Sequence, residues 1–398
     1  MRQKKSSLAY RILLCILILF GKSAVFAQTN MYPFRSLTSD QGLIHNHINC
    51  ALRDQYNYLW FGTESGLSRF DGMQFTNFRY SGNKEQGLSS NVISGLFEGP
   101  EGDVWIRTSN KMNIFDQRTG TIIQRVDSVL AGRGLPAKDV YTIRPLGSGK
   151  FALLYADRSL VVYDAAKGNF RSISPWYQQS RISDVIRGRE QSIWIIYEDG
   201  LLSRTDLRSF QSHKVAQLAL AHKQVNLNIF EDRDGDLWVY AKDKPVGAYW
   251  LHPQTGRVRH LQSELSNSFV GNIVEDTQGL IWLGTDHGGI NAFNKQNGKI
   301  EIIRNDRYDL RSLPYNSITA LYRDQSGIIW VGTYKGGISY YHPNLLLFPL
   351  IKNYPGLPRS LPFDDVNKFV EDRKGNLWIG TNGGGLLYYD ISKKTFTQ

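Results

Sequence analysis

The run Glu231-Asp232-Arg233-Asp234-Gly235-Asp236 sets three aspartates at alternate positions, the spacing with which a calcium loop begins. It lacks the rest of the twelve-residue pattern and its bidentate glutamate. An Asp at the place of Asp232 also recurs along the chain, so a turn is the better reading. The eight histidines, His45, His47, His287 and His342 among them, show neither metal-ligand spacing with cysteines nor an H-E-x-x-H helix. His45 and His47 alternate and share a face, but two histidines alone make a weak zinc site. GPEGDVW and GGGLLYY are turns, and no G-x-S-x-G elbow or Walker loop occurs. Neither a metal nor a cofactor is expected. The remaining candidates lie in glycine-bounded loops: TESG at 63–66, TDHGG at 285–289, TYKGG at 333–337 and TNGGG at 381–385. Glu64, Asp286, His287, Tyr334, Lys335 and Asn382 are hydrogen-bonding and aromatic groups that suit sugars, although each read singly is also a solvated turn residue.

A repeat must position those loops. Seven of the nine tryptophans stand at 60, 105, 194, 238, 282, 330 and 378, at gaps of 45, 89, 44, 44, 48 and 48. The double gap predicts one further unit, with Phe151 in place of its Trp. Eight units of this period fit four short strands each, the arithmetic of a propeller blade. An Asp stands six residues before Trp60, Trp238, Trp282, Trp330 and Trp378, and a Gly three before Trp105, Trp238, Trp282, Trp330 and Trp378. Asp-x-x-Gly between apolar runs is a hairpin turn. Gly-Thr follows the Trp in the units of Trp60, Trp282, Trp330 and Trp378, and alternation places the indoles between neighbouring blades. The 49 aromatic residues and 37 glycines of the 398-residue chain fit this all-β reading.

Residues 1–27 read as a secretory signal peptide: Arg2, Lys4, Lys5 and Arg11 precede the apolar run Ile12–Phe20, and Ala27 closes a plausible cleavage site. Lys22 interrupts the stretch, which is too short to span a bilayer. Setting aside its five Lys/Arg lowers the net charge from +11 to +6, a weak pointer to acidic ligands or partners. Of the two cysteines only Cys50 then remains, so no internal disulfide is available to the exported chain. Phe34-Arg35-Ser36-Leu37 reads as a fourth strand. The expected architecture is therefore a seven-bladed propeller over 32–347, closed when the N-terminal strand joins the Trp330 unit. Residues 348–398 would be the first blade of an incomplete second propeller, with FPLIKN from Phe348 as its opening strand. The alternative is one eight-bladed ring.

The units DQSGIIWVGTYKGGISYYHP and EDRKGNLWIGTNGGGLLYYD resemble the two-component regulator propeller repeats, over residues 32–398. The resemblance implies the periplasmic sensor region of Bacteroidetes-type hybrid histidine kinases, which are anchored in the inner membrane. It implies an oligosaccharide ligand, control of glycan-utilisation genes, and a dimer. Full members add a second propeller, a membrane helix, a kinase and a receiver, none of which this sequence contains, so the missing domains or a partner chain are expected. The module itself is expected to be non-catalytic. The alternatives are a protein-interaction scaffold or a propeller glycoside-active enzyme. Sialidase Asp-boxes place their Asp one residue closer to the aromatic, quinone dehydrogenases need a cysteine pair, and WD repeats want Asp directly after Trp. Nucleic-acid binding is not expected, because the basic residues are dispersed.

Overall fold

The computed structural model describes residues 32–82, 87–173, 177, 179–222, 224–344, 351–353, 356 and 360–398, and the segment read as a signal peptide lies outside them. Among the described residues of the unit Pro33–Gln398 there are eight antiparallel sheets of four strands. Sheet 1 shows how the sequence builds them. Ile48–Arg53 turns at Asp54–Asn57 into Leu59–Thr63, which turns at Glu64-Ser65 into Gly66–Phe70, and Phe75–Phe78 forms the outer edge. The second strand, Leu-Trp-Phe-Gly-Thr, is buried on both faces, as a strand between two flanking sheets must be.

The sheet of the Trp330 unit draws its outer strand from the start of the chain. Arg35–Leu37 pairs with Ile338–Tyr341, in the register Arg35 to Tyr340 and Leu37 to Ile338. The segment from Phe348 falls mostly outside the described residues, and the opening strand of sheet 8 is Val366–Glu371. One helix, Val126–Gly132, lies between sheets 2 and 3 and buries Val126 and Leu130.

Successive sheets pack through the faces that carry the tryptophans. Trp60 lies with Ile93 and Phe115 of sheet 2, and Trp105 with Ile143 and Leu153 of sheet 3. Trp194 meets Leu227 and Val239 of sheet 5, Trp238 meets Ile273 and Phe293 of sheet 6, and the Trp282 ring stacks 5.3 Å from Tyr341 of sheet 7. Trp330 packs on Ile48 and Phe61 of sheet 1, its ring 5.8 Å from that of Phe61. Trp378 of sheet 8 has no such cover among the described residues: it is 41% exposed, Val370 opposite it in register is 63% exposed, and Phe369 on the other face is 72% exposed.

The third unit corrects the reading of Phe151. Trp60 pairs with Leu52 and Trp194 with Ile186, and the residue in the same register of sheet 3 is Ala152, opposite Arg144. Phe151 is one residue earlier. Side chains alternate across a pleated strand, so it turns to the core shared with sheet 2, whereas Ala152 faces sheet 4.

The inner strands are tied edge to edge by side chains. A bulge follows the first residue of the inner strand in every sheet except sheet 5. Side chains at or beside it reach the next strand. Asn49 Nδ2 donates to Ile93 O at 2.9 Å, Ser183 Oγ to Leu227 O at 2.8 Å and Asn272 Nδ2 to Thr319 O at 2.9 Å. The Thr319 hydroxyl donates in turn to Ile48 O of sheet 1. An extra residue on one strand re-aims its side chain, here towards the neighbouring sheet.

Candidate functional site

The Asp-x-x-Gly-x-x-Trp repeat is one hydrogen-bonded device. Asp54 Oδ1 accepts the backbone N–H groups of Tyr56 and Tyr58 at 2.9 and 3.0 Å, and Oδ2 accepts the indole N–H of Trp60 at 2.7 Å. Asp232 with Trp238, Asp276 with Trp282 and Asp324 with Trp330 repeat it at 2.9, 3.1 and 3.0 Å. One carboxylate shapes the turn and satisfies the buried indole that packs on the next sheet. Sheets 2 and 4 carry Gly99 and Gly188 at the Asp position, and there the buried indole nitrogen of Trp105 has no hydrogen-bond partner among the described residues, while that of Trp194 is turned towards Glu231.

The three aspartates that suggested a calcium loop are filled from within. The Lys295 ammonium lies 2.7, 2.5 and 3.2 Å from the carboxylates of Asp232, Asp234 and Asp236. Burial alone would lower the pKa of this lysine, but the bonds from Asp232 and Asp234 outweigh it and raise it. Among the described residues no group of three or more His, Cys, Asp or Glu is placed to hold a metal ion.

The candidate loops sit at equivalent turns between second and third strands. The threonine of each Gly-Thr pair closes its turn, from Thr63 Oγ1 to Gly66 O at 2.8 Å, Thr285 to Gly289 at 2.8 Å, Thr333 to Gly337 at 3.2 Å and Thr381 to Gly385 at 3.0 Å. Five of the six candidates fall on three neighbouring sheets, 6, 7 and 1. The Asp286 N–H donates to Phe269 O at 3.1 Å, while the His287 and Tyr334 N–H groups both donate to Ser317, at 3.2 and 3.1 Å. The ring of Tyr334 lies 4.6 Å from that of His47, with the Lys335 ammonium 5.4 Å above Tyr334 on one side. Glu64 accepts from Asn49 Nδ2 at 2.8 Å. Burial lowers the pKa of His47, against the opposing pull of Glu64. Tyr334, Tyr315 and Phe269 remain 44%, 43% and 38% exposed along this arc. Asn382 is not part of it: it bonds Asp365 Oδ2 at 3.1 Å on sheet 8.

Sequence reasoning missed the central cavity. It encloses about 710 Å³ and takes Cys50, Leu96, Thr142, Asp184, Asn228, Asn272 and Leu321 from the inner strands of sheets 1 to 7 in turn. Arg107, Arg144 and Lys242 also line it. Counted from the tryptophan of its own unit, Lys242 occupies the turn position of Glu64, Asp286 and Tyr334. That equivalence was the available signal. Solvent reaches Lys242, yet protein surrounds it, and burial with the neighbouring Arg144 and Arg107 charges lowers its pKa. Burial pushes the Cys50 thiol up to about 12.

Four segments, residues 42–65, 264–287, 312–335 and 360–383, match the two component regulator propeller. These four segments belong to that family of repeats. All six candidate loop residues fall inside the matched segments. Among solved structures, this chain is similar to the extracellular domain of a putative hybrid two component system from B. thetaiotaomicron. The identity there is 20% and the TM-score 0.62, covering 92% of this chain and 54% of that one. A second such domain from that organism gives 17% identity and a TM-score of 0.61, over 92% and 53%. The chain thus spans about half the length of these domains. Virginiamycin B lyase of Staphylococcus aureus is similar at 13% identity and a TM-score of 0.56, over 78% of this chain and 99% of that one. These likenesses establish the propeller fold. No curated protein sequence matches the regulator propeller significantly.

Proposed function

We propose that this chain is the ligand-sensing propeller region of an exported hybrid two-component signalling system, and that it recognises oligosaccharides on the arc of loops over sheets 6, 7 and 1. The observation that carries the reading is the convergence of Tyr334, Asp286, His287 and Glu64, on repeats of the regulator family, beside the exposed rings of Tyr315 and Phe269. Aromatic faces with adjacent hydrogen-bonding groups are what a sugar ring needs, because its C–H face packs on the ring while its hydroxyls are satisfied at the edge. The loops are fixed by the threonine bonds, so little ordering is required on binding.

In this reading residues 32–347 form a seven-bladed ring closed by Arg35–Leu37, and 348–398 supply the first blade of a second ring. Packing of Trp330 on sheet 1 supports the first statement, and the exposed Trp378 and Phe369 support the second. The module does no chemistry of its own. Further propeller, membrane and kinase segments, in the same polypeptide or a partner chain, would pass the signal on, with residues 1–27 directing export and pairing of two copies as in the family. Calorimetry of the chain against plant and host oligosaccharides tests it. Saturable binding that is lost in Tyr334→Ala is expected; the absence of any binding saccharide would overturn the sugar reading and leave a protein-interaction scaffold.

A further inference from the structure

The central cavity holds more positive charge than its own residues neutralise. Arg107 donates from Nη1 to Tyr141 O at 2.8 Å and from Nε to Ser94 Oγ at 3.3 Å, both uncharged acceptors. Arg144 meets Asp184, one of two carboxylates on the lining, from Nη2 at 3.4 Å, and its buried Nε has no acceptor among the described residues. Lys242 bonds to nothing among the described residues. The other charged lining groups, Arg187 and Glu231, are opposite in sign, so the wall carries an excess of two positive charges. The hydroxyl of Thr142, a residue only 3% exposed, is also without a partner at the cavity wall.

Unpaired cations are ordinary on an outer surface, where water screens them. In the cavity solvent still reaches Lys242 and Arg144, but the protein walls weaken its screening, so the cations repel one another at a cost that a bound anion would relieve. We propose that the cavity binds a small oxyanion ligand of charge minus two, held by Arg107, Arg144 and Lys242. Guanidinium forks and an ammonium are the groups that take carboxylate, sulfate or phosphate oxygens, and a volume of about 710 Å³ admits such a group alone or on one or two sugar rings. The site stands apart from the loop arc and does not rest on the sugar reading.

The test uses the purified chain in low-salt buffer, with sodium sulfate and sodium phosphate as probes and sodium chloride at matched ionic strength as the reference. One saturable sulfate or phosphate site is expected, weakened roughly tenfold or more in Lys242→Gln and in Arg107→Gln and unchanged in Lys214→Gln on the outer strand of sheet 4. Lys242 bonds to nothing among the described residues and its charge is repelled by Arg144 and Arg107, so its variant should melt at or slightly above the parent. A measurement on the unaltered chain guards against misfolding: sulfate should protect Lys242 from acylation, read by mass spectrometry. Glucose 6-phosphate, which keeps the double charge, binding more tightly than inorganic phosphate would assign the anion to a sugar, and the reverse order to a free anion; either supports the site. Absence of saturable binding beyond the chloride reference, affinity unchanged in Lys242→Gln, or no protection of Lys242 would overturn it. Neutral oligosaccharide binding that survives Lys242→Gln but not Tyr334→Ala would separate the loop reading from this one.

Discussion

Asp324→Ala removes the carboxylate that serves sheet 7 and touches sheet 1 at once. Its side chain is fully buried. Oδ1 accepts the Ser326 and Ile328 N–H groups at 2.9 and 3.1 Å, and Oδ2 accepts the Trp330 indole at 3.0 Å and the Arg53 guanidinium of sheet 1 at 2.9 Å. Each neutral bond contributes about 1 kcal/mol net, and the charged one somewhat more, discounted because Arg53 is 24% exposed. With the indole left buried and unpaired, the expected loss is about 4 kcal/mol. Asp324→Asn, which keeps an acceptor for the turn, should cost about half of that. Urea unfolding followed by tryptophan fluorescence and circular dichroism reads both. Burial raises the Asp324 pKa, but the Ser326, Trp330 and Arg53 contacts outweigh it and lower it. Its contribution is therefore present above the unfolded value of about 3.9 and is lost as pH falls through the lower folded value. A loss below 1 kcal/mol for Asp324→Ala, against a large one for Trp330→Ala, would refute the view that the Asp–indole bond holds the sheets together.

The tryptophans should divide by cover. Trp60→Ala, at 0% exposure, is expected to cost about 3–5 kcal/mol, and Trp378→Ala, at 41%, about 2 or less; equal losses by urea titration would show that sheet 8 is covered in solution. Lys295→Met takes the lysine charge away from buried Asp232 and Asp236, which keep only their bonds to the turn and Trp238 and to Trp250 and His252, so about 2 kcal/mol of stability should disappear in denaturant titrations. Because the folded pKa of Lys295 is raised, its contribution should hold constant below the unfolded value of about 10.4 and fade only as pH rises through the folded value; a decline already between pH 7 and 9 contradicts this. Cys50, with its thiol pushed up to about 12, should alkylate at pH 8 more than a hundredfold more slowly in the native chain than in urea, and comparable rates measured by mass spectrometry would contradict its burial.

The repeat was legible because it rests on contacts close in sequence. A turn needs Asp and Gly a few residues apart, and a strand between two sheets needs apolar residues on both faces, so period, strand order and loop positions all follow from spacing. The gathering of Glu64, Asp286, His287 and Tyr334 followed from equivalent places in neighbouring repeats. Phe151 was misplaced by one residue because period alone does not settle which pleat face a side chain takes; only pairing with Arg144 and Pro145 does so. Lys295 among three aspartates 59 to 63 residues away, and Arg107, Arg144 and Lys242 around one cavity, depend on which strands the fold brings together. Sequence by itself determined the blade and its turn, and the buried indole in six of the eight units, since these are local free-energy choices repeated along the chain. Tertiary structure alone decided which charges meet in the middle, since that depends on distances between strands that no spacing along the chain encodes.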